Sequence, residues 1–176
     1  MVRLMPWVER RWSFNLPVRA FPAVLERLRG TPARAADLVA GVPEERLAAR
    51  PLGTWSVKEH IGHLSDLHSL DLQRVEEFLS GAEVLTAADA SNRRTAEAGH
   101  ETIPITQILA ALRRERHALI LMLEELTEVE VAATALHPRL GVTMRLVDWA
   151  QFVADHDDHH LASARHALRA VCGLDV

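Results

Sequence analysis

Four long stretches of this sequence place apolar residues at the spacing of an amphipathic helix, and this pattern most restricts the folds open to the chain. The stretches run from about Val18 to Ala40, from 57 to 80, from about Ile105 to Leu126 and from about Met144 to Ala170. Glycine and proline residues lie between them, and no strand-like alternation competes with the helical periodicity. The pattern predicts an all-α protein, and four such helices in 176 residues close most simply as a four-helix bundle.

Local signals mark the ends of several of these helices. Ser56 and Glu59 predict a capping box at the start of the second helix, and Gly81 is placed to end it. The run Gly30-Thr31-Pro32 predicts a kink or break in the first helix, with Thr31 as a cap. Thr143 is the expected cap of the fourth helix.

Two connections in the chain are long. Residues 82–102 show little periodicity and are predicted to form an ordered crossover with a single helical turn, between the second and third helices. Residues 128–142 predict a turn-rich connection before the fourth helix. The long crossover allows a bundle topology other than simple up-and-down.

Length and composition limit the class of protein. A chain of 176 residues fits one domain, with residues 1–16 as an N-terminal extension. The net charge of −4 and the lack of a basic recognition helix argue against nucleic-acid binding. Cys172 is the single cysteine, so no internal disulfide forms and a reducing, cytoplasmic location is expected. Met1 to Ala20 resembles neither a secretory signal nor a membrane span.

Two histidines lie on the apolar face of the fourth helix. In the run Asp155-His156-Asp157-Asp158-His159-His160, His156 and His160 are four residues apart and share the face that carries Trp149 and Phe152. Burying two imidazoles without partners costs free energy that an ordinary core avoids. Imidazoles at this spacing, with Cβ atoms about 6 Å apart, can share one divalent metal ion. The pair therefore predicts a metal site inside the bundle.

A third metal ligand has to come from another helix. His63 is the best candidate by position, because it lies on the apolar side of the second helix, while His60 and His68 are weaker candidates. Three histidines would leave a coordination position open for water or substrate, which distinguishes a catalytic metal site from a closed structural one.

At these residues the chain resembles the DinB-like metal-binding four-helix bundles. The Trp-Ser-x-x-Glu-x-x-x-His-Leu motif of that family is present here, as is its His-x-x-x-His motif, formed by His156 and His160. The first motif consists of Trp55, Ser56, Glu59, His63 and Leu64. A looser similarity runs from about Phe21 to Leu168 and takes in Asn92, Arg116 and His137-Pro138.

The resemblance implies a metal centre and a range of activities. It implies that His63, His156 and His160 hold a divalent metal, zinc or nickel, with open positions for water, and that the protein is a homodimer. Activities among relatives include transfer of low-molecular-weight thiols such as bacillithiol, and thiol-dependent isomerisation of maleylpyruvate.

Other polar residues have less specific interpretations. Glu59 is expected to act as the capping partner of Ser56. Asp157 and His159 are candidates to orient the metal ligands. Arg116 lies near an apolar stripe, where it either forms an ion pair or binds a substrate carboxylate. The remaining histidines considered are expected to lie at the surface or to be hydrogen-bonded: His60, His68, His117 and His166.

These observations predict a metal-dependent enzyme acting on a small molecule. Its metal would bind the thiol of a small cofactor as thiolate, or activate a water, for attack on an electrophilic substrate. The alternative is a noncatalytic metal-binding stress-response module whose metal stabilises the bundle.

Overall fold

The computed structural model describes residues 4–173 and confirms the four-helix bundle. The helices and strands are α1 (Phe21–Val39), α2 (Glu44–Ala48), α3 (Val57–Asp66), α4 (His68–Leu79), α5 (Arg93–Glu97), α6 (Ile105–Glu124), α7 (Glu128–Val131), β1 (Thr134–His137), β2 (Val142–Arg145) and α8 (Leu146–Val171). Short 3-10 turns are found at Trp7–Glu9, Val18–Ala20, Pro51–Gly53 and His100–Thr102.

Four long helical segments make up the bundle: α1, the pair α3 and α4, α6, and α8. Helix α1 packs against both α6 and α8, and α3 packs against the same two helices. The first two helical segments of the sequence therefore lie diagonally across the bundle. In a simple up-and-down bundle they would be neighbours.

The first two helices differ from the prediction in opposite ways. The second is broken at Leu67, whose N–H bonds to the carbonyls of His63 and Ser65 in a tight turn between α3 and α4. The first was predicted to kink or break at Gly30-Thr31-Pro32, and it runs through these residues as one helix without a break. Thr31 does not cap a new helix there; its hydroxyl lies 2.8 Å from a carboxylate oxygen of Asp157, to which it donates.

A β-hairpin occupies part of the connection that was predicted to be rich in turns. Strands β1 and β2 pair antiparallel, with Thr134 opposite Arg145 and His137 opposite Val142. The sequence analysis did not identify this hairpin, because strands of four residues are too short for an alternating pattern to be distinctive. Helix α8 consequently starts at Leu146, and its first turn is closed by Asp148, which accepts the backbone N–H of Arg145, and not by Thr143.

A layer of polar side chains divides the hydrophobic core of the bundle into two clusters. One cluster includes Leu28, Val75, Leu119 and Trp149, and the other includes Ala35, Leu64, Leu112 and Leu161. Four buried polar residues, one from each bundle segment, contact one another between the clusters: Thr31 of α1, Asp71 of α4, Arg116 of α6 and Asp157 of α8. We call these four residues the polar layer. It lies next to the predicted metal ligands, since Asp157 directly follows His156.

Within residues 4–173, no helix combines the length and the apolar character needed to cross a lipid bilayer.

Candidate metal centre

The fold brings His63 of α3 together with His156 and His160 of α8. One ring nitrogen from each histidine lies within 4.8 Å of the other two. The Nε2 atoms of His156 and His160 are 3.1 Å apart, and the ring centroids of His63 and His160 are separated by 4.6 Å. Nitrogens around one tetrahedral zinc ion lie about 3.3 Å apart, given bonds of about 2.0 to 2.1 Å. Small rotations of the rings would bring the three nitrogens to that spacing.

The three imidazoles are held in the neutral form that binds metals. Burial lowers the pKa of His63 to about 4 and the pKa values of His156 and His160 well below their usual value. Repulsion between the neighbouring imidazoles lowers the pKa of His156 and His160 further. Their ring nitrogens therefore keep free lone pairs at neutral pH.

A hydrogen-bonded chain fixes the tautomer of His63. The Thr95 hydroxyl donates to a carboxylate oxygen of Asp66 at 2.7 Å, so Thr95 Oγ1 can only accept from His63 Nδ1, which lies 2.9 Å away. His100 Nε2 donates to the same oxygen of Asp66 at 2.9 Å. Burial raises the pKa of Asp66, but the hydrogen bonds from His100 and Thr95 lower it below its usual value overall. The proton of His63 is thus on Nδ1, and Nε2 is left to bind a metal.

Gly62 allows this chain to form. A Cβ at this position would lie 2.4 Å from ring atoms of His100, so any larger residue would push His100 off α3. The glycine therefore lets the segment that carries Thr95 and His100 dock directly beside His63.

His160 also has an outer partner. Its Nδ1 lies 3.1 Å from Nδ1 of His60, which leaves Nε2 beside His156. Trp55 packs on this group, with ring centroids 5.4 Å from His60 and 5.0 Å from His63. His60 is therefore a hydrogen-bonded residue next to the cluster. The sequence analysis gave this as one expectation for His60 and a weaker candidacy as metal ligand as the other.

The donor set fits a divalent ion. Neutral imidazole nitrogens are common ligands of zinc, nickel and copper. Protein metal sites usually hold the outer nitrogen of each ligand histidine with a second hydrogen bond, and His63 and His160 both have such a partner.

Arg116 and Asp157 form an ion pair inside the polar layer. Arg116 Nη2 donates to Asp157 at 2.8 Å, and Arg116 Nη1 lies 3.8 Å from the carboxylate of Asp71. The carboxylate of Asp157 therefore binds Arg116 and Thr31, while His159 packs against Trp7 with ring centroids 5.4 Å apart. No hydrogen bond from either Asp157 or His159 to a ring nitrogen of the three histidines is found within residues 4–173.

Two cavities lie beside the histidine cluster. The first, which we call the arginine cavity, has a volume of about 60 Å³; its charged and polar lining residues are Asp71, Arg74, Arg116, His137, Arg139, His156 and Asp157. The second, which we call the crossover pocket, is about 200 Å³ and its polar lining residues are His63, Asp66, Ser69, Asp89, Asn92, Arg94 and Thr95. Leu67, Leu70 and Ala88 line both cavities and so separate them.

The N-terminal segment covers one side of the cluster, a feature that the sequence analysis missed. Trp7 lines the arginine cavity and packs edge-on against His156, with ring centroids 5.0 Å apart. Arg10 lies over the Trp7 ring and donates to the backbone carbonyl of Asp155. The aromatic residues of the first 16 positions were the available signal, since two tryptophans in a short polar extension require an apolar surface.

Glu59 has the structural role expected for it. Its carboxylate accepts the backbone N–H of Ser56 at 2.9 Å, while the Ser56 hydroxyl accepts the N–H of Glu59, which completes the capping box. Arg50 also donates to this carboxylate at 2.8 Å. These contacts keep the start of α3, and with it His63, in place.

Comparisons with known proteins agree with this fold. The sequence profile of the DinB superfamily matches residues 27–164. A solved structure described as "YfiT from Bacillus subtilis is a probable metal-dependent hydrolase with an unusual four-helix bundle topology" is similar with a TM-score of 0.75 and 20% identity, over 95% of each chain. The mycothiol-dependent maleylpyruvate isomerase is similar with a TM-score of 0.64 and 14% identity, over 84% of this chain and 60% of that one. A search of curated proteins finds no significant match.

Proposed function

This chain belongs to the DinB superfamily, and from that premise we propose that it is a metal-dependent enzyme whose divalent ion is held by His63, His156 and His160. One observation carries the proposal: three neutral imidazoles from two helices converge within 4.8 Å at a point flanked by two cavities. A structural ion would need neither cavity, whereas an enzyme needs space for its substrates beside the metal.

The residues around the cluster have separable tasks in this proposal. A divalent ion bound there would lower the pKa of a thiol or of water. Thr95 and Asp66 hold the proton of His63 on Nδ1, and His60 orients the ring of His160. Trp7 packs on His156 and Trp55 packs on His63, and the two indole rings limit the access of water to the cluster.

The two cavities favour thiol transfer over hydrolysis. One solved relative is described as a probable hydrolase and the other as a mycothiol-dependent isomerase, so the relatives support both classes. Hydrolysis needs space for one organic substrate, whereas thiol transfer needs space for a thiol and an electrophile. We assign the polar crossover pocket, beside His63, to a low-molecular-weight thiol, and the arginine cavity, beside His156, to the electrophile.

The metal assignment is tested by zinc titration of the purified, untagged protein. We expect one ion per chain, with most of the affinity lost in His63→Ala, His156→Ala and His160→Ala. His166 is exposed on the same helix α8, and His166→Ala is the matched control that is expected to bind zinc normally. Stoichiometric binding in the His156→Ala, His160→Ala double variant would refute the assignment.

The thiol assignment is tested on cobalt-substituted protein. Adding cysteine is expected to change the visible absorption of the ion, because thiolates bind such metals well. A panel of electrophiles with cysteine or bacillithiol is then expected to give conjugates only with metal present. An unchanged spectrum at saturating thiol would exclude thiol transfer. A metal that stabilises the fold without any turnover would support the noncatalytic binding module. Zinc or nickel as the native ion, and the homodimer, stay predictions.

A further inference from the structure

His137 lines the arginine cavity and holds a buried proton donor without a partner. Its Nδ1 accepts the backbone N–H of Leu140 at 3.3 Å, so the ring proton is on Nε2. Burial lowers the pKa of His137 to about 4, which keeps the ring neutral. Nε2 has no hydrogen-bond partner among residues 4–173, and His137 is only 2% exposed. A buried donor of this kind usually serves a water or a ligand.

Arg74 is the second unusual group in this cavity. Its Nε and Nη2 both donate to the backbone carbonyl of Thr86, at 3.0 and 2.8 Å, and this fixes the plane of the guanidinium. The residue is 4% exposed, yet no carboxylate within residues 4–173 comes within 4.0 Å of its charge. Buried guanidinium groups are normally paired with an anion.

The charges lining the cavity do not balance. Arg116 is matched by Asp157 at 2.8 Å and by Asp71 at 3.8 Å, while Asp71 attracts Arg74 only from beyond 4.0 Å. With the more exposed Arg139, three guanidinium groups line the cavity against two carboxylates, which leaves a surplus of one positive charge. This distribution makes Arg74, and not the sequence candidate Arg116, the better placed cation for a ligand.

We propose that the arginine cavity binds the carboxylate of an organic anion, with Arg74 supplying the charge and His137 Nε2 a neutral hydrogen bond. The apolar part of the ligand packs against Trp7, Leu64 and Phe152, which line the same cavity. This inference rests on the proposed function and names its substrate class: an electrophile that carries a carboxylate. The cavity is small, and Arg74 is its one buried guanidinium with no carboxylate within 4.0 Å among residues 4–173, which favours a carboxylate over a phosphate ester, since the ester carries more charge and more oxygens.

The test compares butyrate with butyramide, which have the same size and differ in charge. Dissociation constants are measured by ligand-observed NMR on the full-length, zinc-loaded protein. We expect butyrate to bind at least tenfold more tightly, since a charge-assisted hydrogen bond to a buried guanidinium distinguishes the two. Arg74→Gln is expected to reduce this preference to threefold or less. Arg94 lines the crossover pocket instead, and Arg94→Gln is the matched control that keeps the preference.

Three further variants keep the test informative if Arg74→Gln does not fold. Arg74→Lys keeps the charge and is expected to keep part of the preference. His137→Gln retains a side-chain N–H donor and is expected to bind butyrate better than His137→Phe. Equal butyrate affinity in His137→Gln and His137→Phe would remove His137 from the proposal.

These experiments distinguish a failure of the anion-site inference from a failure of the proposed metal-dependent function. If butyrate binds the metal directly, the spectrum of the cobalt-substituted protein changes and Arg74→Gln has no effect, which overturns the inference. If zinc binds as proposed but wild-type protein shows no preference for butyrate, the inference fails and the metal assignment stands. If the protein binds no zinc yet shows a preference that depends on Arg74, the anion site stands and the proposed function fails.

Discussion

Replacing Asp71 with asparagine is expected to change how the stability of this protein depends on pH. Asp71 is buried in the polar layer, and its nearest cation, Arg116 Nη1, lies 3.8 Å away while Arg116 binds Asp157 more closely. Burial, only partly offset by Arg116, raises the pKa of Asp71 from 3.8 to about 7. The folded protein therefore holds a proton on Asp71 over a pH range in which the unfolded chain has lost it.

The magnitude follows from the size of this shift. Because the folded-state pKa is raised, the stabilising contribution of the protonated group is complete below pH 3.8 and is lost as pH rises through about 7. Each pKa unit is worth about 1.36 kcal/mol, so the wild-type protein is expected to lose about 3 kcal/mol from this group between pH 5 and pH 8. Asp71→Asn cannot ionise, so its stability relative to wild type is expected to rise by the same amount over that range.

The assay is urea unfolding of both proteins at pH values from 5 to 8, with a chelator present so that metal binding does not contribute. Asp37 is exposed on α1, and Asp37→Asn is the control for the same substitution outside the core. If the difference between Asp71→Asn and wild type is also constant across this range, Asp71 does not titrate there and the argument from burial is wrong.

Three further predictions follow from other parts of the site. Arg116→Met leaves the buried aspartates without their cation and is expected to lower the free energy of unfolding by about 3 to 5 kcal/mol in urea titrations; a loss below about 1 kcal/mol would show that the polar layer is not held by this ion pair. Thr95→Val removes the acceptor of the His63 proton and is expected to weaken zinc binding about 10- to 100-fold by calorimetry, whereas the exposed Thr102→Val control is expected to bind as wild type. Gly62→Ala forces His100 away from α3 and is expected to lower both zinc affinity and melting temperature; unchanged values would mean that the contact is not needed for docking.

The sequence predicted the features that depend on periodicity. The bundle helices were found because each buries one apolar face, and the same face of α8 carries His156 and His160, which the structure places beside His63. The break at Leu67 was missed because it interrupts the helix for a single residue without changing the apolar pattern.

Features that depend on contacts between distant segments of the chain could not be predicted from the periodicity of apolar residues. Thr95 and His100 lie in the crossover, whose sequence has no periodicity to show which side chains face α3. Asp157 was placed among the metal-orienting candidates because it neighbours His156, but its partners are Arg116 and Thr31 on other helices. Only the packing of the bundle reveals that pairing.

The polar layer also determines how the helices align along the bundle axis. In a core of leucine and valine alone, one helix can slide along its neighbours by a turn, about 5.4 Å, and find similar contacts. Here the same displacement of α6 would carry Arg116 away from Asp157 and leave buried charges unpaired. Asp157 and His160 are three residues apart on α8. The helix alignment that lets Arg116 pair with Asp157 therefore also determines the position of His156 and His160 along the bundle axis. The polar layer thus holds the three proposed ligand histidines in position before any ion binds.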